Sequence, residues 1–227
     1  MYELIEHLKQ KQWLWQGNQT LAEQDHYTTG YDLLDQKLSG GFPKQGVVEL
    51  SSPAAIGELR LLLPHLRNTT QERLSVFIQP PGYLCAEQLI REGFDMNKIL
   101  LLYPREHKEA LWAAEQCLKS GACSNVLLWS SELEVHQARR LQVASERGDS
   151  LSFLFKSEHH SQASLPVSLS LALRPHPLGL EVTITKRRGG WPHASFVLDM
   201  SRTWPALTHA RSPSSADVLP FPLRQQG

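Results

Sequence analysis

Long apolar runs are missing from this chain: no stretch of about 18 apolar residues exists to span a bilayer. Cysteine is scarce. The three thiols, Cys85, Cys117 and Cys123, have no zinc spacing and form no disulfide framework. They read as reduced, mostly packed thiols of a cytoplasmic protein. Net charge is also missing, since 23 Lys and Arg balance 23 Asp and Glu. No global field selects nucleic acid or a membrane surface, so any basic patch has to be local. The amino terminus carries Glu3 and Glu6 and lacks the apolar segment of a signal peptide. There is no internal repeat. These absences predict a soluble, cytoplasmic protein with no membrane partner and no resident metal. What remains is 227 residues, enough for one domain with a good core and some tails.

The chain is organised around Thr29 to Leu63. A Thr29-Gly30 turn leads to a short helix with Leu33, Leu34 and Leu38, then Gly40-Gly41, Pro43 and a strand from Gly46 to Leu50. In an ATP-binding domain a phosphate loop, G-x-x-x-x-G-K-[ST], follows such a strand. Its amides cradle phosphates, its Lys meets the outer ones, and its hydroxyl holds magnesium. Here the loop reads Ser52-Pro53-Ala54-Ala55-Ile56-Gly57-Glu58-Leu59. Gly57 keeps the second glycine. Glu58 replaces the Lys and Leu59 replaces the hydroxyl, and a carboxylate repels polyphosphate. The expectation is a degenerate phosphate loop at Ser52, Pro53, Gly57, Glu58 and Leu59, with no catalytic residue and no nucleotide cofactor.

Residues Tyr2 to Lys11 place Leu4, Ile5 and Leu8 at helical spacing, either covering the protein's own core or docking to a partner. Trp13, Trp15 and Gly17 follow in a linker. After the loop, Gly57 to Leu66 predicts a helix with Leu59, Leu62, Leu63 and Leu66 inward, and Arg67 to Arg73 a polar loop. Strands are expected at Leu74 to Ile78, Ile99 to Tyr103, Asn125 to Trp129 and Leu151 to Phe155. Helices are expected at Leu84 to Glu92, Glu106 to Ser120 and Leu133 to Arg147, with glycines at or beyond their ends. This alternation predicts a mostly parallel sheet covered by helices on both faces. Then the pattern changes. Lys156 to Ala163 reads as a polar loop, and Val167 to Leu173, Leu180 to Lys186 and Phe196 to Met200 as strands without helices. They predict a hairpin edge, its first turn spanning Arg174 to Gly179. The domain reading is 1–27 as amino-terminal helix and linker, 28–200 as core, and 201–227 as a flexible tail.

Adjacent His159-His160 make a poor chelate, and no third ligand has telling spacing. No G-x-S-x-G elbow supports a Ser-His-Asp triad. Where an ATPase places carboxylates at strand ends, this chain has Gln79-Pro80-Pro81 and Trp129-Ser130. Trp112 and Trp129 read as core, and Arg139-Arg140 as a solvated helix face. The run Lys186, Arg187, Arg188, Gly189, Gly190, Trp191 combines three cations, two flexible glycines and an aromatic. It reads either as a contact for phosphates, bases or an acidic partner, or as a plain solvated turn.

Three segments carry a family likeness. Thr29 to Asp35 with Gly40-Gly41-Phe42-Pro43 and Gly46 to Leu50 resembles the opening of RecA-related proteins. Val76 to Leu101 is similar to the stretch that carries their catalytic Glu, here Gln79-Pro80-Pro81. Ile184 to Met200 resembles the segment whose lysines reach a neighbour's nucleotide. The nearer resemblance is to the ImuA family, RecA-like accessory proteins of SOS mutagenesis. It rests on Trp15-Gln16-Gly17, Ala110 to Ala122, Val126 to Trp129 and the KRRGG run. The SulA cell-division inhibitors share the central piece, Leu74 to Phe155. The resemblance implies a RecA-like, P-loop-type α/β fold and a non-enzymatic adaptor. Its implied partners are an ImuB-type Y-family polymerase homologue and an error-prone replicative-type polymerase, with contacts to RecA and DNA. The alternative is a SulA-type inhibitor that binds FtsZ and blocks septum formation.

Overall fold

A computed structural model describes residues 26–53, 55–130, 132–157, 165–188 and 194–205. The expectations for Tyr2 to Lys11, Trp13, Trp15, His159-His160, Gly189, Gly190, Trp191 and the tail from Arg211 lie outside these residues. The strands are β1 (His26–Tyr27), β2 (Phe42–Pro43), β3 (Gly46–Ser52), β4 (Leu74–Ile78), β5 (Ile99–Leu102), β6 (Cys123–Trp129), β7 (Leu151–Ser157), β8 (Leu169–His176), β9 (Gly179–Arg187) and β10 (Phe196–Asp199). The helices are α1 (Asp32–Lys37), α2 (Glu58–Thr69), α3 (Ala86–Arg91), α4 (His107–Lys119) and α5 (Val135–Gly148).

Eight strands form one sheet in the order β10-β9-β8-β3-β7-β6-β4-β5, parallel from β8 to β5 and antiparallel at β8-β9-β10. The fold is thus mixed α/β, with a mostly parallel sheet and a hairpin edge. The central strands β3, β6 and β7 are buried along almost their whole length, as strands covered on both faces must be. Val48, Leu50, Phe77, Leu127 and Phe153 face a core shared with α1, α2 and α3. Val47, Val76, Val126, Leu128 and Leu154 face Ala110, Ala114 and Leu118 of α4 and Ala138 and Leu141 of α5. In β9 burial alternates instead: Leu180, Val182 and Ile184 go inward, and Glu181 and Thr183 stand half-buried on the other face.

Several details differ from the sequence reading. Helix α2 runs on to Thr69 because its last turn is held by Thr70, whose amide and hydroxyl both bond to the Leu66 carbonyl. Besides Glu58, its buried set is Leu61, Leu62, Leu63, His65 and Leu66, since it is wedged between the sheet and the Thr29–Tyr31 turn, and Leu59 is half-buried. Lys156 lies in β7 and not in a loop; its ammonium sits 3.5 Å from the Glu49 carboxylate, and both residues are buried. Glu49 also accepts from the Ser170 hydroxyl at 2.9 Å. The turn between β8 and β9 shrinks to Pro177-Leu178, with Pro175 inside the ladder. The β3 pairing has ended at Ala172, so the missing N–H of Pro175 costs no bond on that side. Trp112 is not core: it stands 62% exposed on the outer face of α4, opposite Ala110 and Ala114. Cys85 is exposed, Cys117 half-buried and Cys123 buried.

Candidate functional site

The Thr29–Tyr31 turn leads into α1 and braces α2 at Arg60 and Pro64. The Asp35 carboxylate accepts from the Thr29 amide (2.8 Å), the Thr29 hydroxyl (2.7 Å) and the Thr28 hydroxyl. Gly30 has φ +87°, and a Cβ there would lie 2.3 Å from Cβ of Pro64. Pro64 sits inside α2 and cannot bond to the Arg60 carbonyl one turn back. The Tyr31 hydroxyl donates to that carbonyl at 3.1 Å, and the Trp204 indole N–H donates to Tyr31 at 3.0 Å. Burial raises the Tyr31 pKa, so the phenol keeps the proton it donates.

Below Pro64, His65 is fully buried among Phe42, Phe153 and Tyr27. Its Nδ1 lies 3.2 Å from the Thr28 carbonyl and its Nε2 3.2 Å from Asn125 Oδ1. Burial dominates and pushes its pKa down to about 4, against the pull of those two bonds and of Asp35.

The loop between β3 and α2 is where the sequence expects a degenerate phosphate site. Ser52 is buried at the carboxyl end of β3, and Pro53 is half-buried. Ala55 and Gly57 take positive φ of 62° and 98°, turning the chain back onto α2. Glu58 opens the helix and is only 8% exposed. Its carboxylate accepts the amide of Ile56 at 3.0 Å and the amide of Ala55 at 3.3 Å. Two loop amides that an incoming anion would need are therefore bonded to the protein's own carboxylate. Leu59 turns from the loop and packs against the core under the sheet.

Next to this loop a crevice of about 280 Å³ is lined by Glu58, Trp129, Ser130, Phe155 and Lys156 among others, the Lys156 ammonium being held by Glu49. The Trp129 indole lies flat on Phe155, 4.3 Å away at 2°, and 6.3 Å from Phe77. The Ser130 hydroxyl donates to the Glu132 carbonyl at 3.3 Å. Gln79, at positive φ, points its amide to the Pro104 carbonyl at 3.0 Å. Among the described residues no carboxylate besides Glu58 lines this crevice. The arrangement offers a flat aromatic floor and a buried, internally bonded acid. Among the described residues it supplies no free base and no cluster of phosphate-binding amides.

The second candidate group sits elsewhere. Lys186 and Arg187 end β9, and Arg188 begins the following turn. The register pairs Arg187 with Leu169, and Leu169 with Val48, so these cations lie toward the amino end of β3. From the level of Val48 to Ser52, where the Glu58 loop begins, the strand runs about 13 Å at about 3.3 Å per residue. These cations are not unpaired. Lys186 donates to the Leu165 carbonyl, Arg187 reaches the Ser39 hydroxyl at 3.1 Å, and Arg188 lies 3.8 Å from Glu146. A cleft of about 440 Å³ opens at this end, lined by His26, Lys44, Glu146, Asp149, Arg187 and Arg188 among others. The loop at Ser52, Pro53, Gly57, Glu58 and Leu59 and the cations at Lys186, Arg187 and Arg188 thus form two separate places. Sequence reasoning missed His65 and the Pro64–Tyr31–Trp204 chain; a proline inside an apolar helical pattern is the one signal that pointed there.

Comparison with known proteins bears on the central part of the chain. Residues 47–152 match the profile of the family described as "Cell division inhibitor SulA". The chain is 32% identical over 121 residues to SulA of Photorhabdus laumondii, covering 52% of this chain and 68% of that protein. It is 30% identical to SulA of Pseudomonas aeruginosa, covering 83% of that protein. This chain belongs to the SulA family. It is also 29% identical to RecA of Acidothermus cellulolyticus over 136 residues, which is 39% of that RecA. The crystal structure of SulA from Pseudomonas aeruginosa aligns with a TM-score of 0.43 at 30% identity, covering 49% of this chain and 97% of that one. In this SulA-family chain the shared segment holds the Glu58 loop, Phe77 and Trp129 of the aromatic floor, and α2 to α5, while Phe155 lies just past it. Strands β8 to β10 and the cations at Lys186 to Arg188 lie beyond it.

Proposed function

We propose that this SulA-family protein is a non-enzymatic, RecA-fold accessory protein of the SOS response to DNA damage. In this reading it acts in error-prone translesion synthesis beside an ImuB-type Y-family polymerase homologue and an error-prone replicative-type polymerase. RecA and DNA are further contacts, and the work is done in the cytoplasm without cofactor or metal.

The observation that carries the non-enzymatic half is the seat of Glu58. A nucleotide phosphate would have to displace a buried carboxylate from the Ala55 and Ile56 amides. It would then sit beside that charge, and the one lysine lining the crevice among the described residues, Lys156, is already paired with Glu49. Leu59, Gln79 and Trp129 stand where the magnesium hydroxyl and the carboxylates of a phosphoryl-transfer site belong. Read this way, Ser52 to Leu59 is a phosphate loop closed by its own side chain.

The adaptor half is supported by what the chain has beyond residues 47–152, the part shared with SulA. That part is the hairpin edge and the Lys186, Arg187, Arg188 cluster. A second reading has an observation of its own. Relatives named cell division inhibitor cover the α/β centre, which favours a protein that binds FtsZ and blocks septum formation. Coprecipitation of the purified full chain with an ImuB-type protein, and separately with FtsZ, tests both. The adaptor reading expects capture of the polymerase homologue and no effect on FtsZ sedimentation. Capture of FtsZ alone, with loss of its polymers, replaces it by the inhibitor reading.

A further inference from the structure

The outer surface of α4 and α5 carries charge that neither reading uses. A cleft of about 300 Å³ between these helices is lined by Glu115, Lys119, Arg139, Arg140, Val143 and Arg147. Arg140 is bonded to Glu115, which neutralises that pair. Arg139, Arg147 and Lys119 have no ion-pair or hydrogen-bond partner among the described residues, so the cleft keeps three free cations in a chain of zero net charge. Lys119 and Arg147 end their helices, where cations complement the carboxyl-terminal dipole. That explanation does not extend to Arg139, in the first half of α5, or to Trp112, which is outside the cleft lining but shares the α4 stripe of Glu115 and Lys119 at helical spacing. Trp112 lies one helical turn before Glu115, fully outward and 62% exposed. A large exposed aromatic costs solubility and contributes nothing to the core.

We infer that the α4–α5 cleft binds a single strand of nucleic acid, with its phosphates on Arg139, Arg147 and Lys119 and a base stacked on Trp112. This goes beyond the proposed function, which gives α4 and α5 no role in contacts. Arg139, Val143 and Arg147 repeat every fourth residue, so the two guanidinium stems leave α5 about 12 Å apart along one face. A backbone following the cleft therefore meets cations at intervals. The indole selects the kind of polyanion. An acidic protein surface needs only cations, whereas an exposed aromatic beside a cationic track is what single strands use, since every base has a face to stack. A duplex keeps its bases stacked away from such a ring.

The test uses the full chain and a fluorescein-labelled oligothymidine of about 20 nucleotides, a length that spans several such contacts. Anisotropy is read at about 50 and about 200 mM salt, where phosphate contacts separate from neutral ones. Wild type is expected to bind at the lower salt and weaken steeply at the higher. The double variant Arg139→Ser, Arg147→Ser should bind about tenfold more weakly and lower the salt slope by about 1.4, two single-strand phosphates at about 0.7 each. Trp112→Ala should weaken binding about fivefold or more with the slope unchanged, and Trp112→Phe should restore most of it. Thermal melts of these surface variants should match wild type. The inference is overturned by the absence of binding at the lower salt. It is equally overturned if these variants bind as wild type does, or if only Arg187→Ala, Arg188→Ala loses affinity. Binding of polyglutamate of equal charge, as tight as the oligonucleotide and indifferent to Trp112, assigns the cleft to an acidic protein instead.

Discussion

His65 makes the protein's stability depend on pH in a direction that follows from its burial. Its folded-state pKa, about 4, lies below the ordinary 6.5, so the unfolded chain takes up the proton first. The contribution of neutral His65 is complete above about pH 6.5 and is lost as pH falls from there toward 4. Between about pH 7.5 and pH 5 the expected loss is about 2 kcal/mol, and urea melts at the two values measure it. His65→Gln should lose that much less over the same interval; equal losses in both proteins would remove His65 as the cause. Tyr31 gives a second check. Tyr31→Phe leaves the Arg60 carbonyl and the Trp204 N–H without their partner, at a cost of about 1–3 kcal/mol in the same melts. A cost near zero would mean that another donor reaches the carbonyl. At this scale the sequence was legible where a local pattern decides the backbone, as at Gly57 and Glu58, where α2 starts. It was not legible where partners come from far along the chain. Thr29-Gly30-Tyr31 reads as a motif, but its reason is Pro64 and Trp204. Trp112 was misread because size suggests burial, while its angle on α4, set by Ala110, Ala114 and Leu118, points it away.

Helices α4 and α5 pack more closely at their carboxyl ends than their apolar pattern requires. A Cβ on Gly148 would fall 1.9 Å from the Leu118 carbonyl oxygen, so backbone meets backbone there. Gly148→Ala should destabilise by about 1–3 kcal/mol through overpacking, seen as a lower urea midpoint with unchanged slope. An unchanged midpoint would show that the helices can part. The end of β9 predicts the opposite behaviour. Arg187 and Arg188 make a side-chain bond and a long ion pair at the surface, worth about 0–1 kcal/mol each. Arg187→Ala, Arg188→Ala should therefore melt like wild type while losing affinity for an ImuB-type protein or RecA, and its residual binding should depend less steeply on salt. Unchanged affinity at both salts returns these cations to plain surface. The strands β3 to β7 and helices α4 and α5 were legible because their periods are strong and their ends carry caps such as Glu106 with Glu109. The ends that slipped, at Thr69, Lys156 and Pro177, depend on neighbours that no local window contains.

Across the whole molecule, the sheet puts two chemically different ends about one strand length apart. The carboxyl end has the Ser52–Leu59 loop beside an aromatic floor, and the amino end has Arg187 and Arg188 lining the larger cleft. Alternating strands and helices revealed this architecture before any contact was known. Which residues share an end was hidden, because β8 returns beside β3 only after the parallel series is complete. The account rests on the loop being closed by its own carboxylate, and equilibrium dialysis of the full chain against labelled ATP tests that most directly. With magnesium and nucleotide in the millimolar range, where weak working sites fill, the account predicts no bound ATP. Stoichiometric, magnesium-dependent binding would contradict it.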